Sequence, residues 1–139
     1  MRKTIITLAV AAGALLLATG VAFAGKPSSS LSLVVLPVAA PAGSQTTATA
    51  EASYGGQVTF DVSTTETDQP LVNVRCYQGG IFVYDGWQGF WPGYYTDPVF
   101  TLASGYWTGG AADCTARLVS FGSNGREKTL ASVSFHVAA

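Results

Sequence analysis

Apolar and polar side chains take turns along most of this chain, and that rhythm leaves little choice of fold. Val58, Phe60 and Val62 alternate with Thr59 and Asp61, while Val72, Val74 and Cys76 alternate with Asn73, Arg75 and Tyr77. Ala112, Cys114, Ala116 and Leu118 repeat the pattern, as do Ala131, Val133, Phe135 and Val137 in the closing stretch from Thr129. Side chains of an extended strand point to opposite faces at each step, so every one of these sets shares a single face. No helical period appears beyond residue 24. The island Leu31–Leu36 ends at Pro37, which suits an edge strand because a proline there costs no ladder bond. Thr46 to Ala50 reads as a second short edge piece, Ile81 to Tyr84 as a short strand, and Val99 to Ala103 as another with Phe100 and Leu102 inward. Gln78-Gly79-Gly80 and Gly122-Ser123-Asn124-Gly125 supply hairpin turns. About seven strands with turn signals roughly every ten residues predict an all-β chain, folded as a two-sheet antiparallel sandwich.

The first residues decide the compartment. Arg2 and Lys3 precede an apolar run from Ile5 to Ala18, and Ala22-Phe23-Ala24 offers the small residues that signal peptidase requires. The run is shorter than the roughly 20 residues that span a bilayer. Residues 1–24 are therefore expected to be a cleaved signal peptide, residues 25–29 a flexible lead, and residues 30–139 one sandwich domain. The mature chain is expected to be secreted, with no membrane attachment after cleavage. It keeps five basic residues (Lys26, Arg75, Arg117, Arg126 and Lys128) against eight acidic ones, a net charge of about −3. Scattered cations on a mildly acidic chain do not make a nucleic-acid footprint.

Two cysteines, Cys76 and Cys114, enter an oxidising space together, and an even count there reads as one disulfide. Both fall on faces that the alternation assigns to the core. The closed loop of 38 residues should contribute about 3–4 kcal/mol by restricting the unfolded chain. No CxxC spacing or neighbouring histidine points to a redox or metal role.

Gly55-Gly56-Gln57-Val58-Thr59-Phe60 resembles the entry to strand B of bacterial immunoglobulin-like domains. Gly109-Gly110-Ala111-Ala112-Asp113-Cys114-Thr115-Ala116 resembles their strand F segment, which ends in a cysteine. The resemblance covers residues 30–138 and implies a secreted immunoglobulin-like sandwich. There are two departures. Phe60 or a neighbour stands where strand B has its cysteine, and Ala112 stands where a tyrosine precedes the second cysteine. The first cysteine falls instead on the strand equivalent to C, so the bridge is expected within one sheet, between strands C and F. In length the chain is also similar to the secreted chromophore-carrying apoproteins, which have two disulfides where this chain has one.

Chemistry is sparse. His136 is the one histidine, and the alternation points it outward. No Gly-x-Ser-x-Gly elbow presents a nucleophile. Asp85 and Asp97 could form a carboxylate pair of the glycosidase kind, but aspartates at strand ends also cap turns. Glu66, Asp68 and Asp113 lack the dense ligand spacing of a calcium loop. The chain is accordingly expected to be non-enzymatic, with no cofactor and no metal.

The strongest lead is Gly86 to Tyr95, where Trp87, Phe90, Trp91, Tyr94 and Tyr95 are five aromatics in ten residues. Gly86, Gly89, Pro92 and Gly93 are expected to stop any ladder there, making a loop. Sheets of a sandwich pack about 10 Å apart, too close for five such rings to be swallowed. Some should line a surface, where Trp and Tyr bury large area at low entropic cost. Tyr106 and Trp107 would join them if their connection lies at the same end. Two roles remain open for the aromatics, a plug over the core and a contact surface. The partner would be an extracellular polysaccharide or protein; an alternative is a rigid loop that inhibits a secreted hydrolase.

Overall fold

The structure is a computed structural model, and it describes residues 27–37, 51–94 and 96–139. The segments expected to be the signal peptide and the second edge piece, residues 1–24 and 46–50, lie outside the described residues. No helix is present among the described residues, and none is long and apolar enough to cross a membrane. The strands are β1 (Ser29–Leu36), β2 (Gln57–Thr64), β3 (Leu71–Gln78), β4 (Ile81–Gly89), β5 (Phe100–Thr101), β6 (Ala112–Phe121) and β7 (Glu127–Val137).

They form two antiparallel sheets, β1-β2-β5 and β4-β3-β6-β7. The core between them takes Val58 and Phe60 from one sheet and Val72, Val74, Ala116, Leu118 and Val137 from the other, all buried. These are the residues that alternation placed inward. β1 stands at an edge, as Pro37 suggested, and starts ahead of the apolar island because Ser29 and Ser30 pair with Thr64 and Ser63.

Both hairpins close as their glycines require. Gly79 and Gly80 have φ of 56° and 85°, which suits the two-residue connection between Gln78 and Ile81. In the β6–β7 hairpin the Gly125 N–H donates to the Gly122 carbonyl at 2.8 Å, and Gly125 alone takes a positive φ, 72°. Asn124 contributes its side chain instead, with Oδ1 accepting from the Arg126 N–H at 3.0 Å. Cys76 and Cys114 are directly opposed on β3 and β6 with Cα atoms 4.0 Å apart, and they are joined as a buried disulfide inside one sheet.

Two expectations about β4 and β5 are corrected. β4 does not end at Tyr84: the ladder runs on through Gly86 and Gly89, which pair with Val74 and Leu71. These glycines sit beneath rings and do not turn the chain. A Cβ on Gly86 would stand 2.6 Å from the Tyr84 hydroxyl and 3.0 Å from the Phe100 ring. β5 shrinks to two residues, although Phe100 and Leu102 are buried as expected.

Tyr84, opposite Cys76 on β4, packs its ring toward Trp107 at 6.3 Å. Burial pushes its phenol above the usual tyrosine value, and the neighbouring Asp85 carboxylate adds to the shift. The folded state thus disfavours the phenolate. Its contribution to stability is complete below about pH 10, where the unfolded phenol starts to ionise, and is lost as pH rises through the folded value. We expect Tm to fall above pH 10, and less so in Tyr84→Phe. Ultraviolet titration of the native protein should show one tyrosine ionising late.

Candidate functional site

β4 delivers the chain to one end of the sandwich. There the Phe90 N–H donates to the Pro70 carbonyl at 2.9 Å, tying the end of β4 to the entry of β3. The Phe90 ring meets Phe60 edge-on at 6.5 Å and so belongs partly to the core. Next comes a turn closed by the Tyr94 N–H on the Trp91 carbonyl at 3.2 Å, with Pro92 second and Gly93 third at φ 89°. Proline followed by a glycine of positive φ is the signature of a type II turn. The turn brings Trp91 and Tyr94 edge to face, centroids 4.7 Å apart. Both rings lie over Gly89, where an added Cβ would stand 2.5 Å from Tyr94 and closer still to Trp91.

The chain then crosses to the other sheet along the side of β4. Gln88 clamps it, accepting from the Thr96 hydroxyl at 3.1 Å and donating to the Val99 carbonyl at 3.2 Å. On the far side the Thr59 hydroxyl donates to the Pro98 carbonyl at 2.6 Å. Between turn and crossing lies an open cleft of about 320 Å³, lined by Trp91, Pro92, Tyr94, Thr96 and Pro98 above Gly89 and Phe90. None of these residues is charged. Its chemistry is therefore stacking and shape, with few hydrogen bonds. Gln88, Thr96 and Pro98 were not among the residues that the sequence singled out for this site.

The remaining aromatic candidates are dispersed. Trp87 is part of β4, not of a loop; 37% exposed, it faces outward and tilts against Phe121 at 6.3 Å. Tyr95 lies outside the described residues. Tyr106 and Trp107 sit at the opposite end of the sandwich, near the β3–β4 hairpin. Ser104 beside them donates to the Val83 carbonyl, and the Gln78 amide donates to the Gly109 carbonyl at 2.5 Å. Six residues of β4 separate Val83 from Gly89, about 20 Å. The cause is topological: the chain meets β4 beside Gln88, at Val99, and then runs back along it through β5 to Ser104 beside Val83. Tyr106 is 84% exposed, whereas Trp107 is 3% exposed, donates its indole N–H to the Gly110 carbonyl at 3.1 Å and packs edge-on against Tyr54. Trp107 is thus the plug, at the end away from the cleft.

Three of the carboxylates considered for chemistry, those of Asp85, Glu66 and Asp113, are engaged with separate partners. Asp85 accepts from Asn73 Nδ2 at 2.6 Å and lies 3.5 Å from Arg75 Nε. Asp97 is exposed on the crossing segment, where its carbonyl accepts from the Val99 N–H at 2.8 Å. Glu66 pairs with Lys128 at the cleft end, while Asp113 pairs with His136 at the other. Among the described residues no three His, Cys, Asp or Glu side chains converge as metal ligands.

Asn73 lies on the outer face, as alternation places it, but is covered there. It points outward from β3 between Trp87 and Arg117, yet it is wholly buried. Arg117 donates to its Oδ1 at 2.9 Å and to Glu127 at 2.7 Å, so a polar layer covers this part of the outer face. Comparisons of the chain with protein families, with curated proteins and with solved structures find no match.

Proposed function

We propose that the chain is an exported, non-enzymatic recognition module of immunoglobulin-like type, which holds an extracellular polysaccharide or protein in the cleft beside Trp91 and Tyr94. The reading rests on one observation, the half-buried Trp91–Tyr94 pair seated over Gly89 and opening onto uncharged space. A ring pair locked in this way presents a large apolar face without losing rotamer freedom on binding. An exported domain with a buried disulfide suits work outside the cell.

The test is sedimentation of purified protein with insoluble cell-wall polysaccharide and with cell-surface protein extracts. Trp91→Ala should weaken retention about tenfold or more, in line with loss of one aromatic anchor of about 1.5 kcal/mol or above. Its Tm should fall only slightly, since the indole is half-buried. Gly89→Ala keeps both rings but displaces them, and it should also weaken retention. Equal retention of parent and both variants would refute the cleft as the contact surface.

A further inference from the structure

The registers of the four-stranded sheet set certain outward side chains abreast. Phe82, Tyr77, Asp113 and His136 form one row across β4, β3, β6 and β7, each the partner of the next. One step along, Thr115 faces Ser134 on β6 and β7. Neighbouring strands lie about 4.8 Å apart, so the four-residue row is about 14 Å long. Phe82 and Tyr77 are both exposed, and Phe82 props the phenol ring at a centroid distance of 5.6 Å. Asp113 Oδ1 and His136 Nδ1 are 2.9 Å apart, and the Thr115 and Ser134 hydroxyls are 3.2 Å apart. A solvent-open cleft of about 470 Å³ is lined by Tyr77, Asp113, Thr115, Ser134 and His136.

This lining selects its ligand. One ring offers a stacking face, the two hydroxyls both donate and accept, and the carboxylate already shares a hydrogen bond with an imidazole. A charged partner gains little here, whereas a ring with apolar C–H faces and equatorial hydroxyls meets every group. A bound peptide strand would require unpaired backbone. β3 and β6 are paired on both sides, so this face offers side chains alone. The step from strand to strand is also close to the length of one sugar ring. A linear glycan lying across the strands would place successive units over successive residues.

We propose that this row is a second binding site, for an uncharged, extended polysaccharide, with Tyr77 as the stacking ring and Asp113, His136, Thr115 and Ser134 as hydrogen-bonding partners. It is independent of the Trp91–Tyr94 cleft: Phe82 and Gly89 are seven residues apart on β4, about 23 Å.

The test is titration of the ¹⁵N-labelled mature protein with cellohexaose and with N-acetylchitohexaose, followed by amide shifts. Shifts should cluster at Asp113, Thr115, Ser134 and His136 for at least one of the two sugars. Tyr77→Ala should weaken that Kd about tenfold, the loss of about 1.4 kcal/mol of stacking. Asp113→Ala should weaken it as well, and Trp91→Ala should leave it unchanged. Both side chains changed in the row are exposed, and the variants' own spectra report that they are folded. Absence of shifts at these four residues with millimolar sugar, or a Tyr77→Ala variant that binds as the parent does, overturns the proposal. Shifts confined to Gly89, Trp91 and Thr96 overturn it while upholding the cleft. Shifts confined to the row uphold it and count against the cleft.

Discussion

Replacing Phe100 with alanine should lower the unfolding free energy by about 3–5 kcal/mol, the range for deleting a buried phenyl ring from a core that cannot collapse around the gap. Phe100 is 2% exposed and meets Phe60 nearly perpendicular at 5.6 Å. The ring also lies against Gly86, whose missing side chain makes room for it. The residue also ends the crossing segment, so its loss should loosen the wall that Thr96 and Pro98 give to the cleft. Urea unfolding with an unchanged m-value is the measurement. Phe100→Leu, which refills part of the space, should lose distinctly less. A Phe100→Ala variant within about 1 kcal/mol of the parent would mean that the two sheets are not closed by this ring.

Removing the disulfide comes next in size. The Cys76→Ala, Cys114→Ala double variant should lose about 3–4 kcal/mol, because the unfolded chain regains the freedom of a 38-residue loop. For a domain of this length that is a fall in Tm of roughly 15 °C. The β3–β6 ladder itself should survive, since six further residue pairs flank the cysteine pair. Far-ultraviolet circular dichroism of the variant at low temperature should therefore match the parent, with the loss confined to its melting curve.

Legibility in the sequence followed the physics of each element. Alternation located the inward residues of β2, β3, β6 and β7 because each has one face against the core and one toward solvent, the condition under which a period of two carries information. The burial of both cysteines was legible for the same reason, each keeping step with apolar neighbours, whereas their place within one sheet followed from the resemblance to immunoglobulin-like strands C and F. β4 was misread beyond Tyr84 since glycine is informative only about what it permits. Gly79, Gly80 and Gly93 permit a positive φ, whereas Gly86 and Gly89 permit rings to approach the backbone. Local sequence cannot separate these two uses. The burial of Asn73 on the outer face was not legible, because it comes from Trp87 and Arg117 on adjacent strands, a relation set by register alone. The scatter of the aromatics had a similar origin. Trp107 follows Trp91 by sixteen residues, yet β5 and the residues after it, running from Gln88 to Val83 alongside β4, carry it to the far end of the molecule.

The covalent link joins β3 to β6, and every residue that lines the Trp91–Tyr94 cleft, from Gly89 to Pro98, lies inside the loop it closes. Tension applied to the two ends of the polypeptide can peel away β1, β2 and β7, but it bypasses the residues from 77 to 113, whose contour of about 130 Å stays out of reach. A domain built this way, pulled from its two ends, would keep the residues of the cleft on a short leash after its outer strands had let go.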